Sequence, residues 1–213
     1  MKTTLFLIFI SFISCHSISE KGINLIKGFE SCNLTAYKDS AGVWTIGYGT
    51  TSAVKSITGT DIYEGLTISK ETADLWFKLS IDNIYSKNVD SYDSIYHWNQ
   101  NEFDALCSFA YNTGSFGELV QNGKREKSEI PDKMLLYVNS NGKKSEGLVR
   151  RRKAEVSLYI NGTYEIDDKN NCQINNNKCS SGNGICITTD DCTKSGGKHV
   201  SGLCPNDPAY IKC

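Results

Sequence analysis

The sequence predicts an α+β fold, with a small β-hairpin lobe beside a mainly helical lobe and a small disulfide-rich module after them. Three observations carry that prediction. Apolar residues recur at helical spacing in segments on both sides of residues 35–49. Within 35–49 the character changes: Tyr37, Val43, Trp44, Ile46 and Tyr48 favour strands and flank an Asp39-Ser40-Ala41-Gly42 turn. Third, the 213-residue chain has nine cysteines, and six of them fall between Cys172 and Cys213. That density exceeds the roughly 8–10 % that marks a disulfide scaffold in a short secreted chain. So short a segment buries too little apolar surface to hold itself together without cross-links.

The elements follow in order. Lys2, the apolar run over residues 5–13 and the small residues Cys15 and Ser17 form the three-part pattern of a secretory signal peptide cut after Ser17. The run is about half of the ~20 residues needed to span a bilayer, so it predicts export rather than a membrane anchor. Residues 19–30 then read as a short amphipathic helix carrying Ile23, Ile26 and Phe29, with Glu30 at its end. The hairpin comes next. Ser69 is a predicted N-cap for a helix with Ala73, Trp76, Phe77, Ile81 and Ile84 on one face. Asn99 with Glu102 has the spacing of a capping box and opens a run, 103–111, that is apolar almost all round, as a buried central helix requires. Pro131 suits a first helical position, ahead of Met134, Leu135, Tyr137 and Val138, with Asn141-Gly142 as the stop. A last helix over 148–160 ends at Asn161-Gly162. Residues 167–177 are rich in Asn, Asp and Lys and read as a linker. The expected organisation is a signal peptide over 1–17, a catalytic domain over 18–166, and a cysteine-rich module over 167–213.

Charge narrows the function classes. Twenty-three Lys and Arg against twenty-four Asp and Glu give a formal charge of −1. A nucleic-acid binder needs a surplus of cations to displace counterions, so nucleic acid is not an expected partner. Arg150-Arg151-Arg152-Lys153 is the one basic run, but four consecutive helical residues spread around the circumference. It is read as structural, with weak attraction to anionic wall polymers. His97 and His199 stand isolated, so no metal site and no cofactor are expected. Export makes the sequons at Asn33 and Asn161 glycosylation candidates.

One constellation carries chemistry. Glu30, Asp39 and Thr45 are spaced E-x(8)-D-x(5)-T. A carboxyl at a helix C-terminus faces the negative end of the helix dipole, which raises its pKa and suits it to donate a proton. Asp39, in a polar turn, should stay ionised, and the Thr45 hydroxyl can hold a water. One acid, one base and one held water are the parts of an inverting glycoside hydrolase.

The surrounding residues carry a resemblance. Phe29-Glu30, Thr35-Ala36-Tyr37-Lys38-Asp39 and Gly42-Val43-Trp44-Thr45-Ile46-Gly47-Tyr48-Gly49 closely resemble the phage-type lysozymes, glycoside hydrolase family 24. Ser108-Phe109-Ala110-Tyr111-Asn112-Thr113-Gly114 and Gly147-Leu148-Val149-Arg150-Arg151-Arg152-Lys153-Ala154-Glu155 extend it. It covers about 18–162 and implies a lysozyme-like fold and cleavage of the β-1,4 bond between N-acetylmuramic acid and N-acetylglucosamine in bacterial peptidoglycan. By position Glu30 matches the general acid, Asp39 the second carboxylate and Thr45 the third catalytic member. Thr51, Tyr111 and Asn112 fall where substrate contacts are expected. Gly47 and Gly49 either let backbone approach the saccharide or serve tight packing. Thr50 stands where the family usually has a structural histidine, which implies altered stability rather than lost catalysis.

Within that domain Cys32 and Cys107 are the only cysteines and could bridge the catalytic corner to the core. Cys172, Cys179, Cys186, Cys192, Cys204 and Cys213 contain no CxxC pair, which favours three disulfides over zinc. Their module reads either as a wall-binding attachment or as a protease-resistant appendage. The expectation is a monomeric muramidase, secreted or held in a secretory or phagosomal compartment. It would act on peptidoglycan in antibacterial defence or digestion, with no membrane partner after signal cleavage. The alternative is a lysozyme-like peptidoglycan-binding protein of little activity.

Overall fold

The computed structural model describes residues 16–165, with Ile187–Thr188 and Ile211–Lys212, which pair antiparallel. The expected signal segment up to residue 15 and the six C-terminal cysteines lie outside the described residues. His16 and Ser17, on the near side of the expected cut, are packed on the domain. The His16 ring stacks on Phe103 with centroids 5.0 Å apart, its Nδ1 lies 3.1 Å from Asp90 Oδ1, and Gln100 Nε2 donates to the Ser17 carbonyl.

Helix α1 (Glu20–Lys27) starts at Ser19, whose side chain accepts from the Gly22 N–H, and buries Ile23, Leu25 and Ile26 as its periodicity requires. It ends three residues before Glu30. The N–H groups of Phe29 and Glu30 bond back to Ile26 and Lys27 carbonyls, which leaves Glu30 on a turn just past the helix. Strands β1 (Asn33–Lys38) and β2 (Trp44–Gly47) make the expected hairpin, with Tyr37 opposite Thr45 and Lys38 opposite Trp44. A third strand, β3 (Thr50–Thr51), was not foreseen; Thr51 lies opposite Thr45. Gly47 and Gly49, at φ 62° and 106°, turn β2 back into β3. Side-chain-bearing residues rarely adopt that geometry, and a Cβ at Gly49 would sit 3.2 Å from the Tyr111 hydroxyl. Tight packing is thus one reason for these glycines.

After α2 (Lys55–Thr58), helix α3 (Lys70–Ser80) starts on the expected Ser69 cap. It runs into a six-residue π-helix, Ile81–Ser86, and then α4 (Lys87–Asp90). The π turn delays the register by one residue. Ile81 is buried as expected, but Ile84 is 40 % exposed and Ser86 takes the inward position. Tyr85 is thereby rotated onto Tyr111, with ring centroids 5.1 Å apart.

Short α5 (Asp93–Tyr96) precedes α6 (Gln100–Thr113), which forms its capping box as predicted and is buried continuously from Glu102 to Ala110. It is the axis of the helical lobe, against which α1, α4 and the last helix pack. Then come α7 (Phe116–Leu119) and α8 (Ile130–Met134), the latter with Pro131 in its first turn. Helix α8 stops at Met134, short of the expected length. Asn141-Gly142 does not end a helix. Both residues have positive φ, 50° and 73°, and turn a small hairpin between β4 (Asn139–Ser140) and β5 (Lys143–Lys144). Asn-Gly is a strong two-residue hairpin signal for that reason. Helix α9 (Glu146–Asn161) closes the domain, capped by Ser145 and by Gly162 at φ 70°.

Thr50 is buried in β3. Asp74 on α3 accepts from Lys27 of α1 at 2.7 Å, from the Tyr48 hydroxyl at 2.9 Å and from Lys70 at 3.1 Å. Burial pushes its carboxyl up, but these hydrogen bonds outweigh that and hold it below the usual range.

The expected bridge between Cys32 and Cys107 is not formed: Cys32 is disulfide-bonded, whereas Cys107 is free. Cys107 lies on the inner face of α6, fully buried, with its Sγ 3.5 Å from Ser86 Oγ. Burial pushes its thiol far above the ordinary range. Iodoacetamide should therefore alkylate Cys107 at least about 100-fold more slowly in the native protein than in the unfolded chain, as read by peptide mapping. Comparable rates would contradict this placement.

Candidate active site

Glu30 stands on the turn after α1, at the rim of a cleft of about 500 Å³. Phe29, Cys32, Asn112, Leu148 and Arg151 also line it. A neighbouring hollow of about 380 Å³, lined by Tyr137, Asn139 and Ser140, shares Asn112 and Leu148. The two adjoin at Asn112 and Leu148, the second reaching the β4–β5 hairpin.

The sequence led us to expect Glu30 to be governed by the helix dipole and an apolar neighbour. Its immediate partner is instead a cation: Arg151 Nη1 donates to Glu30 Oε1 at 2.6 Å. The Glu30 side chain keeps 24 % exposure, while that of Arg151 keeps 4 %. The guanidinium lies over the rings of Phe29 and Tyr111, its Cζ 5.6 and 5.9 Å from their centroids. Glu30 Oε2 makes no hydrogen bond within the described residues and is the oxygen left to work on a ligand.

Asp39 caps its own turn. Its Oδ1 accepts from the Ala41 and Val43 N–H groups, both at 2.9 Å, so the carboxylate is oriented by backbone and Oδ2 stays uncommitted. Thr45 is on β2, as predicted. Directly opposed residues of antiparallel strands project to the same side, so Tyr37, Thr45 and Thr51 share one face of the sheet. Asp39 follows Tyr37 at the two-residue spacing that returns to that face. The Thr45 hydroxyl donates to the Val43 carbonyl at 3.0 Å, so its proton is committed and its lone pairs face outward from that bond.

The expected substrate residues divide. Asn112 lines the cleft, with its Oδ1 accepting from Arg152 at 2.7 Å. The Thr51 side chain accepts from the Ala53 N–H and caps a short 3₁₀ turn. Tyr111 donates its hydroxyl to the Tyr48 carbonyl at 2.7 Å, clasping α6 to the sheet corner. Burial, with Glu30 next, pushes its phenol far above the ordinary range. Asn33 is half-buried at the start of β1, and Asn161 is exposed at the end of α9.

Two members of the basic run are structural, as expected. Arg151 and Arg152 are 3 % and 0 % exposed, and both point at the fully buried Glu155. Glu155 Oε1 accepts from Arg151 Nε and Arg152 Nη2, both at 3.1 Å, and from Ser108 Oγ at 2.7 Å. Arg152 Nε lies 2.9 Å from Glu155 Oε2, close enough for an ion pair but at an angle that makes no hydrogen bond. Burial pushes the Glu155 carboxyl up and the Arg152 guanidinium down, and their mutual attraction opposes both shifts. The signal for this cluster was in the R-R-x-x-E spacing, which sets Arg151 and Arg152 at i−4 and i−3 to Glu155 on α9. Tyr85 was also missed, because only the π turn brings it here.

The Phage lysozyme family profile matches residues 27–155. An endolysin of Lactococcus phage c2 is 37 % identical over 158 residues, which cover 72 % of this chain and 65 % of that protein. The chain thus spans just under two thirds of that curated relative's length. The muramidase domain of SpmX from Asticaccaulis excentricus superimposes with a TM-score of 0.56 at 29 % identity, over 68 % of this chain and 98 % of that domain. A variant of P22 lysozyme gives a TM-score of 0.56 at 30 % identity, over 68 % and 99 % of the two chains. With its hairpin lobe, its buried central helix and the profile match agreeing, the chain belongs to the phage lysozyme family.

Proposed function

We propose that the protein is a secreted muramidase that hydrolyses the β-1,4 bond between N-acetylmuramic acid and N-acetylglucosamine in peptidoglycan, with inversion at the anomeric carbon. One observation carries this reading. Glu30 has one oxygen pinned by Arg151 and the other uncommitted at the rim of the cleft. The endolysin and muramidase names of its relatives point the same way. Glu30, protonated on Oε2, donates to the glycosidic oxygen as the C1–O bond breaks. A water, donating one hydrogen to the outward lone pairs of Thr45, loses its other proton to Asp39 and attacks C1 from the opposite face. Glu30 ends ionised and Asp39 protonated, and exchange with solvent resets both.

The packing of His16 and Ser17 on the domain favours a signal cut at or before His16 over one after Ser17. Defence against bacteria, or their digestion, fits an exported enzyme of this kind. The cysteine-rich segment serves it as a wall-binding attachment or as an inert appendage.

The test is product chemistry. The full secreted chain should clear a suspension of bacterial walls and release muramic acid reducing ends, and proton NMR should show the α anomer forming first. Release of the β anomer would refute inversion. Binding to walls with no new reducing ends would leave the non-catalytic reading instead.

A further inference from the structure

We infer that Glu155 and Ser108, which line no part of the cleft, are positioning residues for Glu30 and act through Arg151. This rests on the reading of Glu30 as the proton donor.

The chain of contacts is continuous and almost wholly buried. Arg151 reaches Glu30 with one nitrogen only; the rest of the guanidinium is held from behind. Its Nε donates to Glu155 Oε1 at 3.1 Å, and its Nη2 lies 3.4 Å from the Ser108 carbonyl and 3.5 Å from Ser108 Oγ. It also lies over the rings of Phe29 and Tyr111. An arginine tethered only by a partly exposed carboxylate would trade that contact against water, as surface ion pairs do. Anchored on the fully buried Glu155, its fork has one orientation, and so does the Glu30 oxygen that it holds. The other oxygen is then aimed by default.

Charge gives Glu155 a second task. Arg151, which holds Glu30, and the neighbouring Arg152 both pair with Glu155, which supplies a fully buried negative charge to them. Arg150 of α9 lines the same cleft as Glu30, and the phenols of Tyr85, from the π-helix, and Tyr111, from α6, also interact with its charge. Neither phenol is ionised in the working range. Without Glu155, the guanidinium on Glu30 would lose its buried counter-charge, with Arg152 uncompensated behind it, which favours the ionised form of Glu30 and depletes the protonated form needed to donate. A purely structural cross-link between α6 and α9 has no such consequence.

The experiment compares kcat/KM against pH on bacterial walls for the full chain, Glu155→Gln, Glu155→Asp and Glu30→Gln. Glu155→Gln should move the alkaline limb about one pH unit toward acid, the shift expected from one unit charge at an intermediate dielectric. It should also lower kcat about tenfold with KM nearly unchanged. Glu155→Asp restores the charge and should return the limb to the wild-type position, although its shorter reach keeps kcat low. An alkaline limb that superimposes on wild type, with activity scaled down equally at every pH, would overturn the inference. Should Glu155→Gln not fold, Ser108→Ala removes one donor to Glu155 and keeps every charge. A kcat about threefold lower at constant KM supports the chain of contacts, and an unchanged kcat overturns it. Wild-type activity in Glu30→Gln would overturn the reading of Glu30 and this inference with it. An inactive Glu30→Gln beside an unmoved limb overturns the inference alone.

Discussion

Glu30→Gln is expected to lower kcat/KM for wall lysis at least about 10³-fold, within the range that loss of a positioned general acid causes. Glutamine keeps the volume and the oxygen that accepts from Arg151, but its amide carries no transferable acid proton. The fold should be nearly indifferent. Arg151 retains its bond to Glu155 and its place over Phe29 and Tyr111, so no buried cation is stranded. The thermal midpoint should therefore move by only a few degrees. Initial clearing rates on one wall preparation, with thermal scans of both proteins, check the two halves separately. More than about a tenth of wild-type activity in a folded variant would remove Glu30 from the donor role.

Glu155→Leu is the substitution expected to hurt stability most within the buried network. Glu155 is the common acceptor for Arg151, Arg152 and Ser108, and it is fully buried. Its removal strands two guanidiniums in a region that water does not reach. Breaking one side of a buried ion pair in this way costs about 3–5 kcal/mol. For a domain of this size that lowers the midpoint by roughly 10 °C. The loss belongs to the uncompensated charge rather than to side-chain volume, so Arg152→Met in the Glu155→Leu background should recover part of it. Urea unfolding of the single and double variants measures both. A single variant within about 1 kcal/mol of wild type, or a double variant worse than the single, would contradict the energetic reading of this cluster.

The two expectations trace to different information in the chain. Glu30, Asp39 and Thr45 lie within sixteen residues, and the helix end, turn and strand that carry them have local signals. Their identity and element assignments were therefore legible, apart from the three-residue gap between α1 and Glu30. The partner of Glu30 was not. Arg151 is separated from it by 121 positions, and nothing near either residue announces the contact. The basic run reads as structural, but its spread around a helix does not say which arginines turn inward; the fully buried Glu155 takes Arg151 and Arg152 as its partners. Ile84 shows the same limit on a smaller scale. Its helical spacing is correct for an α-helix, and a single π turn decides that it faces out while Tyr85 turns toward the site.

The sequence by itself determined the local stops and starts. Ser19, Ser69, Asn99 with Glu102, and Gly162 occupy the caps that their side chains or lack of one prescribe. Each of these acts through hydrogen bonds or backbone geometry within a few residues. Tertiary structure alone decided that Cys107 stays a buried thiol and that a second carboxylate anchors the arginine on Glu30. Those outcomes depend on which surfaces are buried together, and burial decides whether a charge or a thiol meets water or another side chain.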